Sequence, residues 1–171
     1  MFRSFGLLTL TGLAILAVAP LLFSQDKPVA AAQAAPAFDS VADKALAVMK
    51  KTAEDLHTKG VAAVSYAEGE TVTGWSSRML VVGDIVTPSG STTRPGNNCL
   101  GIVYSKTAEM ALTLKNSGSH SRPTMVGENG WQGGLTTKGK TGNWFVAFSG
   151  GATADDLKIS HAGLEVVTNS F

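Results

Sequence analysis

His57, His120 and His161 are the three histidines of a 171-residue chain, and Cys99 is its one cysteine. No two of these histidines stand three or four residues apart, the spacing that sets two imidazoles on one helix face, so a three-ligand zinc site has little support. A single axial histidine on haem iron needs no such spacing, and any of the three can supply it. His57 lies at the edge of an apolar helical stripe near the end of that helix, which makes it the first candidate for a metal ligand. A plain surface histidine is the competing reading for each. Cys99 and a histidine would make a nucleophile pair, but no local signature accompanies them, and a small buried residue explains Cys99 better. Arg78 closes an otherwise uncharged strand-like segment and can either hold an anionic group or face water. Asp155-Asp156 suggests a cation site less well than it suggests acids at a helix N-terminus, where the dipole favours them.

Gly134-Leu135-Thr136-Thr137-Lys138-Gly139-Lys140-Thr141 satisfies the phosphate-loop pattern G-x-x-x-x-G-K-[ST]. That chemistry requires a helix N-terminus directly after the loop, so that backbone N–H groups and the lysine converge on phosphate. The segment that follows, Trp144-Phe145-Val146-Ala147-Phe148, reads as a strand. The octapeptide is therefore expected to be a hairpin turn bending at Gly139.

The elements that would carry these residues follow from periodicity. Val41, Ala45, Val48, Met49, Thr52 and Leu56 recur at threes and fours and predict a helix over 40–59, with Ser40 and Asp43 as a capping box and Gly60 at the left-handed C-cap. Val61 to Tyr66 and Thr71 to Met79 flank the turn Glu68-Gly69-Glu70 and predict a hairpin. Residues 83–98 read as a loop. Leu100 to Lys115 fits a helical period with Asn97 or Asn98 as cap, although Ile102-Val103-Tyr104 can also read as a strand. Gly134 to Thr137 and Asn143 to Ser149 predict a second hairpin, whose apolar outgoing strand belongs in the sheet centre. Thr153 is the expected N-cap of a last helix carrying Leu157, Ile159, Ala162, Leu164 and Val167. Hairpins in place of βαβ units predict an α+β fold, an antiparallel sheet flanked by helices.

The N-terminus differs in kind. After Arg3, Phe5 to Phe23 runs 19 residues without a charge, and Ala32-Gln33-Ala34 fits a cleavage site, the pattern of a secretory signal over residues 1–34. An uncleaved anchor is the alternative, since a spanning helix needs about 20 apolar residues, but Pro20 and Gly12 make this a poor span. Residues 35–39 then form a spacer and 40–171 the domain, in a periplasmic or secreted protein. With one cysteine the domain has no internal disulfide, and its stability must come from its core. Formal net charge is +1 for the whole chain. Beyond residue 34, Lys and Arg equal Asp and Glu in number. Nucleic acid is thereby excluded as a partner recognised through a basic patch, and a membrane is a partner only if the first segment remains.

The stretch from Phe148 through Ser149-Gly150-Gly151, Asp155-Asp156 and His161-Ala162-Gly163-Leu164 resembles the closing signature of the GlcG/HbpS family of haem-binding-like proteins. Lys59-Gly60-Val61-Ala62-Ala63-Val64, Ser77-Arg78-Met79, Lys106-Thr107-Ala108, Arg122-Pro123-Thr124 and Gly133-Gly134 follow that family's segments in order, over residues 38–171. The chain departs from it at Ala67-Glu68-Gly69-Glu70, where the family has Asp-x-Gly-Gly, and in longer loops after Met79 and before Arg122. The resemblance implies a profilin-like sandwich, a homo-oligomer, and a small planar ligand such as haem, with His57 as axial ligand and Arg78 for an anionic side group. An enzyme degrading haem or a similar small molecule, and a non-catalytic assembly protein, are the two alternatives. Against the enzyme stands the lack of any nucleophile–base or paired-carboxylate pattern.

Overall fold

The structure, a computed structural model, describes residues 35–171; the signal or anchor reading of residues 1–34 lies outside them. The α+β fold expected from the sequence is present. Helix α1 (Ala35–Asp55) leads into strands β1 (Gly60–Glu68) and β2 (Trp75–Val82), then a small ribbon of β3 (Val86–Thr87) and β4 (Asn97–Asn98). Helix α2 (Cys99–Thr113), strands β5 (Gly134–Lys138) and β6 (Gly142–Ser149), and helix α3 (Thr153–Thr168) complete it. The main sheet is antiparallel throughout, in the order β2-β1-β6-β5.

Side-chain alternation explains the layers. In β1, Ala62, Val64 and Tyr66 meet α1 and α3 on one face, while Val61, Ala63 and Ala67 meet α2 on the other. A strand buried on both faces must be apolar at every position, and β1 and β6 are nearly so. Along α1, Ala42, Ala45, Leu46, Met49 and Ala53 form the buried stripe. Gly163 of α3 lets that stripe approach, since a Cβ there would stand 2.6 Å from the Met49 side chain.

Several expectations need correcting. Helix α1 begins before Ser40, so the segment read as a spacer is its first turn and Ser40 cannot cap it. Val48, placed on the apolar stripe, is 40% exposed. His57, with φ +53°, takes the left-handed position after α1 that was assigned to Gly60. Gly60 is needed for another reason: it packs backbone to backbone against Gly150, and a Cβ on it would fall 2.1 Å from the Ser149 carbonyl oxygen. The second strand starts at Trp75 rather than Thr71, after a longer turn. Asn98 does cap α2, its Oδ1 accepting from Gly101 N–H at 3.0 Å. For α3 the capping position falls to Ala152, which offers no side-chain bond, and Thr153 is the first helical residue. The phosphate-loop octapeptide is β5 and its turn into β6, closed by Gly139 N–H to Gly142 O at 2.8 Å.

Candidate functional site

At one end of the sheet, β6 stops at Ser149, two glycines turn the chain, and α3 begins. Helix α2 crosses beneath this turn with Val103, Lys106, Thr107 and Met110 on its buried side. Lys106 is therefore a cation on an apolar stripe, and it is 1% exposed. Its ammonium donates to the Phe148 carbonyl at 2.7 Å and to Asp156 Oδ2 at 2.7 Å. The other carboxylate oxygen of Asp156 accepts from Gly151 N–H at 2.9 Å. Asp156, 5% exposed, thus joins α2 to the β6–α3 turn. Gly133 closes over the pair, because a Cβ there would stand 2.5 Å from the Lys106 Nζ.

Burial costs a charge its hydration, so it pushes the Lys106 ammonium down from its ordinary pKa and the Asp156 carboxyl up from its own. Their mutual attraction and hydrogen bond oppose both shifts. The two side chains line a cavity of about 100 Å³ together with Trp131, Gln132, Gly150 and Gly151, large enough to hold water. A larger groove of about 670 Å³ shares the Thr87, Gly150 and Gly151 wall with this cavity. The groove is bordered by His57 and Lys59 on one side and by Val86, Pro88 and Pro95 of the β3–β4 ribbon on the other. Its size falls within the range of small-molecule sites, roughly 300–1,000 Å³.

His57 is exposed on the rim of this groove. Arg78 is elsewhere. It leaves β2 on the α1 side, bonding through Nε to Asp39 at 3.3 Å and through Nη1 to Asp43, and lines a different groove. Its guanidinium is engaged by its own chain and does not meet His57. His120 lies in the loop after α2, and His161 contacts Glu165 on α3 at 3.2 Å. Among the described residues, no three His, Cys, Asp or Glu side chains cluster as a metal site. Cys99 is buried, with its sulfur 3.3 Å from Thr87 Oγ1.

A second pocket, about 310 Å³, opens where Phe38, Tyr66, Trp144 and Phe171 meet. It is more apolar but holds no histidine and no buried ion pair. The Lys106–Asp156 pair is the feature that sequence reasoning missed. Its signal was present, since Lys106 follows Val103 by three and precedes Met110 by four, which places a charge on the buried side of an apolar helix.

The molecule is thus an antiparallel α+β sandwich with a ligand-sized groove beside a buried ion pair. No protein-family model, no curated protein and no solved structure matches the chain.

Proposed function

We propose that this is an exported protein of the GlcG/HbpS type, and that the groove beside Gly150 and Gly151 binds a small, planar, partly apolar ligand, of which haem is the leading case. One observation carries the reading: segments that resemble the family, far apart in sequence, converge on this one end. Gly60 packs on Gly150, Gly133 packs on Lys106 and Asp156, and Lys106 bonds Asp156. If haem binds there, the solvent-open imidazole of His57 would hold its iron, and Pro88, Pro95 and Val86 would give it an apolar wall. Lys59, on the same rim, is better placed than Arg78 for an anionic side group.

Addition of hemin to the purified protein should shift and sharpen the Soret band, and His57→Ala should abolish the shift. An unchanged free-hemin spectrum overturns the proposal; an unaltered spectrum in His57→Ala overturns only the choice of ligand. A second reading, chemistry on the bound molecule, is favoured by the Lys106–Asp156 pair, which holds a proton in a cavity adjoining the groove. Under that reading haem absorbance decays when a reductant and dioxygen are both present, the dioxygen oxidising the ring and the iron being released, and Asp156→Asn slows the decay while the Soret shift persists.

A further inference from the structure

The end of β6 away from Gly150 presents an aromatic pair to α1 and α3: Tyr66 and Trp144, register partners on β1 and β6. Phe38, one turn into α1, stacks on Trp144 with ring centroids 5.5 Å apart and planes 23° apart. Tyr66 tilts against the same indole at 5.0 Å. A cavity of about 310 Å³ opens beside these rings, bounded by Val41 of α1 and by Phe171 beyond the end of α3. That is the size of a small-molecule site, roughly 300–1,000 Å³, and it shares no lining residue with the Gly150 groove.

The mouth of the cavity is polar, and of one sign. Lys140 and Thr141 line it from the β5–β6 turn, and Ser170 from the segment after α3. Lys140 is the one charged side chain in the lining, and no carboxylate among the described residues pairs with it. The neighbouring charges are engaged elsewhere: Lys138 is set against Glu70, and Asp39, beside Phe38, is held by Arg78. The Tyr66 and Thr141 hydroxyls share one hydrogen bond at 2.6 Å. Each hydroxyl brings one proton and their bond takes one, so a second O–H remains to donate beside the ammonium.

We propose that this cavity binds a small aromatic monocarboxylate. The ligand ring extends the Phe38–Trp144 stack in an offset arrangement. Its carboxylate accepts from the remaining hydroxyl and lies against the Lys140 ammonium, a charge-assisted contact. The same ring faces attract organic cations as well, but Lys140 at the mouth opposes a cation. Charge therefore decides between two ligands of one shape.

Fluorine NMR of para-fluorophenylacetate titrated with the protein as isolated tests this, with para-fluorophenethylamine as the cation of matching shape. The acid's resonance should broaden and move upfield in a saturable way, through the ring current of Trp144, while the amine's stays in place. Val41→Trp, which fills the cavity from a half-buried position, should abolish the acid's shift with an unchanged circular dichroism spectrum. Lys140→Glu, at an exposed position, should raise the acid's dissociation constant about fivefold or more. Lys138→Glu, on the same hairpin but outside the lining, should leave it within about twofold. No saturable shift in the wild type overturns the proposal, including where residues 1–34 fill the cavity. So does equal binding of the amine, or a dissociation constant unmoved by Lys140→Glu. The hemin spectrum reads the far end of β6 and stands or falls separately.

Discussion

Two of the clusters that join a cation to aspartate among the described residues sit in opposite environments. Lys106 and Asp156 are enclosed where α2, β6 and α3 meet, with side chains 2% and 7% exposed; Arg78, Asp39 and Asp43 lie between α1 and the β2 edge, with side chains 41%, 53% and 60% exposed. In the buried cluster, only the small cavity beside the pair could offer water in place of a lost partner. In the exposed one bulk water replaces it, and ions screen what remains. The same pairing chemistry is therefore a structural requirement in one place and a minor contact in the other. The candidate groove adjoins the first.

The contrast predicts a graded series. Lys106→Met leaves an unpaired carboxylate in the interior and should cost about 3–5 kcal/mol in chemical denaturation. The double variant Lys106→Met with Asp156→Leu should recover most of that loss, because replacing both charges by apolar groups is often neutral. A single variant no less stable than the wild type would place the pair in contact with water after all.

The pair also sets a pH signature. The folded-state pKa of Asp156 is raised, so the native state holds more protons above the ordinary value of about 3.9, and the contribution of this carboxyl to stability falls as pH rises through that window. The pKa of Lys106 is lowered, so the unfolded state holds more protons below about 10.4, and stability rises with pH there. The melting temperature of the wild type minus that of the double apolar variant should accordingly fall as pH rises above the ordinary carboxylate value of about 3.9 and climb as pH approaches the ordinary lysine value of about 10.4. A flat difference would contradict the burial assigned to the pair.

Smaller effects follow along the same axis. Gly60→Ala drives a methyl into the Ser149 carbonyl and should cost about 1–3 kcal/mol or more, by overpacking plus the positive φ. His57→Gly should raise stability by up to about 1 kcal/mol, since glycine adopts φ +53° without strain, while removing the proposed iron ligand. Such a gain in melting temperature together with a lost Soret shift would mark a residue retained for its imidazole. Arg78→Ala, at a half-exposed site, should cost no more than about 1 kcal/mol and should lose most of that effect in 0.5 M salt.

Periodicity made the fold legible. The strand β6 is apolar at nearly every position because it lies between two covered faces, and the helix after Asn98 was marked by its cap. Boundaries were less legible because tertiary contacts decided them. Ser40 resembles a cap, yet α1 starts earlier, and its Asp43 serves Arg78 across the edge of the sheet. Gly60 resembles a helix terminator, yet what it satisfies is Gly150, ninety residues away in sequence. At the site, His57 could be placed near the end of α1 from the stripe beside it. Arg78 looked available because a strand pattern does not show which helix lies on it. Asp156 looked like a first-turn acid, which it is; that it also receives Lys106 depends on the packing of α2, and no local pattern carries that information.

Hemin titration of the wild type, His57→Ala and Arg78→Ala, side by side, tests the assignment of function to the Gly150 end most directly. The wild type and Arg78→Ala should give the same saturable Soret shift, and His57→Ala should give none. Loss of the shift in Arg78→Ala with retention in His57→Ala, or no shift in any of the three, would contradict it.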